Sequence, residues 1–285
     1  MIVITGATGA LNGATTDHLL RLVPADQLAI AVRTPARGAR FAERGVQVRH
    51  ADYAEPATLA GAFADADQLL LVSSSDPTAD AVGLHRAAVE AAAAAGVGHI
   101  LYTSHQGAHP DTPFGPGRDH AVTEDLLAAA GIPWTSLRNG FYAHSLAWLL
   151  GPWRETGVIR VPADGPVSWT AREDAAEAAA AILTADHAYD GPVTLTAAES
   201  PTFSDIAEIA ADVEGRHISF EVQDADEWIA SQVAGGQQEF TARFLLGMYQ
   251  AAAAGYFAGT DPLLGELLHR RPHTVHDALA HADRR

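Results

Sequence analysis

The stretch Gly6-Ala7-Thr8-Gly9 lies between the apolar run Ile2–Thr5 and a helix-forming segment, a placement suited to holding an anion. Gly6 permits a tight turn, and Gly9 lets the main chain approach a pyrophosphate at the helix N-terminus. There, free N–H groups and roughly half a positive charge favour an anion. A dinucleotide site is the reading, because the loop follows the first strand, opens the first helix and begins a βαβ series. A third glycine is expected at position 12, where helix and sheet pack closely. Asn12 stands there instead, followed by Gly13, so either the helix shifts or the turn is displaced by one residue.

The end of the second strand distinguishes the two nicotinamide dinucleotides. A carboxylate there would bind the ribose 2′-hydroxyl, and an arginine would pair with a 2′-phosphate. The sequence offers Arg33 and Arg37 and no acid, which favours NADP(H) and leaves NAD(H) open. Two further loops lie at the carboxyl ends of strands, where ligands of open sheets collect. Asp52 and Tyr53 are placed to hold the adenine, and Ser73, Ser74 and Ser75 to line the ribose and nicotinamide.

Several elements must position these loops. Strand patterns fall at 2–5, 28–32, 46–50, 68–72, 99–103 and 135–137, with helix patterns at 14–23, 36–44, 56–63, 81–95 and 121–130 between them. Such alternation implies right-handed βαβ units and a doubly wound parallel sheet, an α/β fold. The unbroken apolar run Leu69-Leu70-Leu71-Val72 suits a strand covered on both faces. After Tyr142 the rhythm changes to Gly/Pro clusters and helices at 172–183, 203–213, 225–233, 240–255 and 274–282, with one strand at 193–196. The expected division is 1–142 for the nucleotide domain and 143–285 for a smaller, mostly helical substrate or lid domain, the chain being free to cross back to the sheet.

Composition narrows the chemistry. All 18 basic residues are arginine and there is no cysteine among the 285 residues. Schiff-base catalysis, a phosphate loop ending in Gly-Lys-Ser/Thr and a Tyr/Lys acid are thereby excluded, as are disulfides and thiolate metal sites. A formal charge of −17 argues against nucleic acid as a partner. No metal-ligand set is visible, since the basic cluster at 269–273 lacks a completing set of carboxylates. No apolar run approaches the ~20 residues of a membrane span, so a cytoplasmic protein without membrane association is expected, and an oligomer is not excluded.

Taken together, Thr5-Gly6-Ala7-Thr8-Gly9, Val32-Arg33-Thr34-Pro35, Leu69 to Ser75, Ala94-Ala95-Gly96-Val97, Tyr102-Thr103-Ser104 and Leu137 to Tyr142 resemble the NmrA-like atypical short-chain dehydrogenase/reductases. The similarity is greatest to bacterial type-2 NAD(P)H:quinone oxidoreductases and runs almost end to end. The resemblance implies a Rossmann domain, a smaller C-terminal domain and hydride delivery to a quinone or related fused aromatic ketone, with a tailoring step on an aromatic polyketide as one variant. It places Gly6, Thr8, Gly9, Ala10 and Leu11 at the phosphates and Arg33 at the adenosine end; Asn12, in the same cofactor-binding loop, is the main departure, standing where the family has glycine. Ser73 to Ser75 and Ser104 would border the nicotinamide, and Asn139, Phe141 and Tyr142 would face the acceptor. The loop His105-Gln106-Gly107-Ala108-His109-Pro110 departs from the family and points to a distinct acceptor, with Gln106 as a substrate contact. Phe141 and Tyr142 would stack on a flat ring, and Tyr142 or His105 would supply the proton, His120 being the next candidate. The competing reading is an NmrA-type regulator that binds NADP(H) and performs no chemistry.

Overall fold

The computed structural model describes residues 1–74, 76, 78–187 and 189–281. In chain order the elements begin β1 Ile2–Thr5, α1 Ala10–Leu22, β2 Leu28–Val32, α2 Ala39–Ala42, β3 Gln47–His50, α3 Leu59–Ala62, β4 Gln68–Leu71, α4 Ala81–Ala95, β5 His99–His105, α5 Gly115–Ala129 and β6 Trp134–Asn139. There follow β7 Phe141–Tyr142, α6 Leu146–Leu149, α7 Trp153–Thr156, β8 Val158–Val161, β9 Trp169–Thr170, α8 Arg172–Leu183 and β10 Gly191–Leu195. The chain closes with α9 Phe203–Glu214, β11 Ser219–Val222, α10 Ala225–Ala234, α11 Glu239–Ala253, α12 Leu263–Leu268 and α13 Val275–His281.

Seven strands form one sheet in the order β10-β6-β5-β4-β1-β2-β3. Register is defined for β1 with β2 and β4, for β2 with β3 and for β4 with β5, and each pair is parallel. The fold is thus the expected Rossmann-type doubly wound α/β sheet. Its strand order reverses between β1 and β4, and ligands of open sheets bind at the carboxyl ends of strands flanking such a reversal. β1 is wholly buried and β4 is buried except at Gln68, and apart from Thr5 and Gln68 both are apolar, as sheet strands covered on both faces require. α1 packs against α8, and α3 packs against α4. Alanines at 175, 176, 178, 179 and 180 are buried along α8, so this helix can pack closely with little side-chain bulk.

Local signals explain most boundaries. Asp80 caps α4 by accepting from the Gly83 N–H, and Gly96 ends it in the left-handed conformation. A reciprocal capping box joins Thr202 and Asp205 at the start of α9. α5 begins well before residue 121, through Gly115-Pro116-Gly117, because proline is tolerated in a first helical turn. The helices expected at 36–44 and 56–63 shrink to short 3-10 turns followed by the single turns α2 and α3.

The chain divides into two compact units. The first comprises 1–104, 119–138 and 172–193 and carries the large sheet; the second comprises 105–118, 139–171 and 194–285. The boundary expected at 142 falls inside the second unit. That unit holds two small parallel strand pairs, β8 with β11 and β7 with β9, and the helices α9 to α13. Its core concentrates large rings: Trp169, Phe203, Tyr249 and Trp228 follow one another in edge or tilted contacts 5.1–5.8 Å between centroids. Each such pair contributes about 0.5–1.5 kcal/mol beyond burial.

Gly140 fixes the approach of β7 to β9. Its N–H donates to Leu195 O at 3.0 Å. A Cβ built on it would fall inside the surfaces of Ser168 O and Thr170 Oγ1. Overpacking of this kind costs about 1–3 kcal/mol, so Gly140→Ala is expected to lower the unfolding free energy by that amount, seen as a lower urea midpoint with the slope of the transition unchanged. An unshifted midpoint would show that the strands relax freely.

Candidate active site

The turn from β1 to α1 begins at Gly6, whose φ is +63° and whose N–H donates to Ala31 O at 3.2 Å. A Cβ here would lie 2.6 Å from Val72 Cγ1, so both conformation and space demand glycine. Gly9 is the exposed N-cap of α1, with no side-chain cap, and the first turn contains no acidic residue. The leading N–H groups of a 13-residue helix therefore meet no competing side chain, and an anion suits them. Thr8 and Leu11 are half-buried, while Ala10 is exposed beside Gly9.

Asn12 does not crowd this position. It is 1% exposed, and its Nδ2 donates inward to Thr5 O at 2.8 Å, pegging the helix to the end of β1. The close-packing position moves on by one residue, since a Cβ at Gly13 would stand 2.9 Å from Ala7 O. Asn12 thus supports the loop from beneath and presents nothing to its outer side.

Four arginines follow β2, and they divide into two pairs. Arg40 and Arg44 both bind Asp17, at 2.8 and 2.6 Å. Arg33 and Arg37 are exposed and, among the described residues, close no salt bridge. Hydrogen bonds from Thr78 first, and the Arg33 charge among the lesser causes, hold the Asp76 carboxyl below its ordinary range.

The loop after β3 turns its polar groups to the protein. Asp52 Oδ1 accepts from the Ala54 N–H at 3.0 Å, closing a local turn. The Tyr53 hydroxyl lies 2.7 Å from Thr5 Oγ1 and 3.1 Å from Val72 O, and burial raises its pKa. The adenine contact expected of this tyrosine is therefore not made through its hydroxyl, which braces β1 against the chain leaving β4. Ser73 and Ser74 are half-buried at that same strand end; Ser75 lies outside the described residues.

Ser104 is 5% exposed and donates to Glu124 Oε1 at 2.8 Å. Glu124 also accepts from Ser136 Oγ at 2.6 Å and from Arg138 through Nε and Nη2. Hydrogen bonding to Glu124 raises the Arg138 pKa. Sequence reading missed this cluster; the spacing of Ser104, Glu124, Ser136 and Arg138 carries no motif. Its effect is to commit the Ser104 proton to the protein, leaving the oxygen able only to accept from a ligand.

The second unit gathers the other expected residues. His105 stands edge-on or tilted to Phe257, Phe141 and Phe114 at 5.1, 5.4 and 5.8 Å. Its Nδ1 accepts from the Gly107 N–H at 2.9 Å, so the neutral ring carries its proton on Nε2. Burial pushes its pKa down to about 4. At neutral pH His105 is a hydrogen-bond donor and not a charged acid, which narrows the proton-supplying role expected for it. Gln106 Nε2 donates to Ala258 O and Gly259 O, both at 2.9 Å, so its amide grips the chain beside Phe257. Asn139 Nδ2 lies 3.3 Å from the Tyr142 hydroxyl, and the half-buried Phe141 is edge-on to Trp169 at 5.5 Å. Tyr142 stacks on His144 at 5.7 Å.

An uncapped helix after a left-handed glycine, at the strand reversal of a doubly wound sheet, defines a dinucleotide-binding α/β protein. A family model described as NAD(P)H-binding matches residues 6–186. The chain is 33% identical to quinone oxidoreductase 2 of Escherichia coli over 99% of its length and 98% of that protein's. It is 30% identical to the NmrA-like family domain-containing oxidoreductase flvB of Aspergillus flavus, covering 97% of this chain and 93% of the relative. Among solved structures, the Escherichia coli NADPH-dependent quinone oxidoreductase with NADPH superposes with a TM-score of 0.90 at 31% identity, covering 99% of this chain and 100% of the other. Citrobacter triphenylmethane reductase with NADP(H) gives the same values. The chain belongs to the NAD(P)H-binding family as an NmrA-like, NAD(P)H-dependent reductase. Among the described residues, no helix is long and apolar enough to cross a membrane.

The buried histidine has a pH signature. An unfolded imidazole takes its proton near pH 6.5, whereas His105 in the fold resists until about 4. Its contribution is complete above 6.5 and drains away as pH falls through that window. At pH 5 the loss is on the order of 2 kcal/mol. Urea unfolding at pH 7 and 5 should show His105→Gln losing less stability than the parent by roughly that amount. Equal losses would place the neutral ring elsewhere in origin.

Proposed function

We propose that this reductase delivers hydride to a flat aromatic acceptor of the quinone class and prefers NADP(H) to NAD(H). The uncapped N-terminus of α1 carries the cofactor part of this reading: it offers main-chain N–H groups to a diphosphate, and its first turn holds no acidic residue. Gly6, Thr8, Gly9, Ala10 and Leu11 would hold the phosphates, and the exposed Arg33 and Arg37 would receive the 2′-phosphate. Ser73, Ser74 and Ser104 would border the nicotinamide, which supplies the hydride when bound. Asn139, Phe141 and Tyr142 would face the acceptor. The aromatic reading is supported by the ring-rich surroundings of His105 and Phe141, and by relatives described as quinone oxidoreductase and triphenylmethane reductase.

The absence of lysine and the neutrality of His105 fit an acceptor whose reduction needs little acid help. Two-electron reduction of a quinone by hydride leaves a phenolate that is stable before it is protonated. The chain's own work is then to hold, orient and exclude water. The Tyr142 hydroxyl can return a proton to the reduced oxygen. Fused aromatic ketones of the polyketide type are acceptors to try beside simple quinones. An NADP(H)-sensing regulator would bind the coenzyme and turn over none of them.

The test follows absorbance of the reduced coenzyme with a panel of quinones and fused-ring ketones. Oxidation matched by acceptor reduction is expected, with lower KM for NADPH than NADH. Arg33→Ala should raise the KM for NADPH about tenfold, one charge-assisted hydrogen bond to phosphate, and leave that for NADH nearly unchanged. Binding without turnover across the panel would overturn the enzymatic reading; equal effects on both coenzymes would overturn the role of Arg33.

A further inference from the structure

β4 stops pairing as a strand at Leu71, yet the chain beyond it stays under close control. Three successive main-chain N–H groups are each received by a side chain at 2.8 Å. Val72 donates to Thr5 Oγ1 on β1, Ser73 to Thr103 Oγ1 on β5, and Ser74 to His85 Nε2 on α4. The ladder of the sheet is thus continued past its end by side chains from three different elements. Thr103 Oγ1 also lies 3.3 Å from Ser73 Oγ.

His85 is the most specified of the three. It is 1% exposed, and burial pushes its pKa down to about 4. Accepting at Nε2 requires the proton on Nδ1, which lies 2.9 Å from Thr123 Oγ1 on α5. Thr123 Oγ1 passes the chain on, donating to Asp119 O at 2.7 Å. Tyr102 packs its ring edge-on to His85 at 5.4 Å, and its hydroxyl pairs with His120 Nδ1 at 2.8 Å. The Ser74 N–H, by donating to Nε2, fixes a single tautomer of His85, and its Nδ1 proton lies nearest Thr123 Oγ1, with the Tyr102 hydroxyl farther off at 3.4 Å. Nothing in the sequence marked this histidine, since it sits inside a helix of alanine and leucine.

We propose that His85 is a positioning residue for the coenzyme, holding the Ser73–Ser74 main chain in the shape that receives the ribose and nicotinamide. The inference rests on the cofactor reading above, because only a bound dinucleotide gives that strand end a task. An apolar core could fill the same space, but it would leave the Ser74 N–H without an acceptor inside the protein. A buried donor without an acceptor is costly enough for the loop to move rather than tolerate it.

The experiment compares His85→Leu, His85→Gln and Thr123→Val with the parent. NADPH affinity is measured by calorimetry, kinetics with a quinone, and Ser74 amide exchange by NMR without coenzyme. His85→Leu should weaken NADPH binding about tenfold, the worth of one hydrogen bond lost from a preorganised loop. The KM for quinone should stay unchanged, and exchange at Ser74 should accelerate. His85→Gln restores a carbonyl acceptor and should recover affinity to within about threefold of the parent. If the leucine variant does not fold, Thr123→Val tests the same chain by removing the nearer acceptor of the His85 Nδ1 proton, and it too should speed Ser74 exchange. Parent-like affinity and exchange in a folded leucine variant, or in the valine variant, would overturn the role of His85 alone. A glutamine variant as weak as leucine would assign the effect to ring shape and overturn it likewise. Failure of the parent to bind NADPH, with Ser74 exchange still dependent on His85, would instead overturn the cofactor reading.

Discussion

The left-handed turn at Gly6 is the constraint on which the nucleotide-binding unit depends. Its backbone conformation lets the chain leave β1 and enter α1 within four residues, and its missing Cβ leaves room for Val72 at the neighbouring strand end. That brings an uncapped helix terminus to the point where the strand order reverses. Asn12, Thr5 and Tyr53 then secure the turn from below through hydrogen bonds that all converge on the end of β1. Polar groups in this region are turned toward the protein, and the outward side is left to main-chain N–H groups. Such an arrangement recognises charge and shape without offering a reactive side chain.

The chemistry of the second unit is similarly restrained. His105 lies among phenylalanine rings in its neutral form, and Gln106 spends its amide nitrogen on two carbonyls. In the first unit Glu124 is enclosed by two serines and an arginine. Charged groups here are paired and neutral groups are kept neutral, as burial demands. A reductase whose coenzyme brings the reactive hydride can work with such residues, because its side chains need to order the reactants more than to ionise.

Much of the fold could be read from local pattern. Alternating apolar runs and alanine-rich helices gave the α/β class, and α4 and α8 agree with their patterns residue for residue, since caps and composition act within a few positions. The loop at Gly6 was legible for the same reason. What escaped were β8, β11 and the short pair β7–β9, whose pairing depends on partners distant in sequence. At the site, the exposed arginines after β2 were readable in outline, but sequence could not say that Asp17 engages only Arg40 and Arg44. Tyr53 was assigned outward because its loop follows a strand; its hydroxyl turned inward to oxygens on two other elements, which only tertiary structure can supply. The Glu124 cluster and the His85 chain were silent for the same physical reason.

The path of the backbone carries a consequence for how this protein can vary. The large sheet takes β10 as its edge and α1 takes α8 as its neighbour, both encoded long after residue 142. A gene cut at that residue would yield an N-terminal fragment with a bare helix flank and a missing border strand. Recombination between relatives is therefore constrained to exchange three separate stretches together, and single-crossover chimeras would inherit mismatched surfaces. Variation is more easily accommodated by substitution within loops than by trading domains.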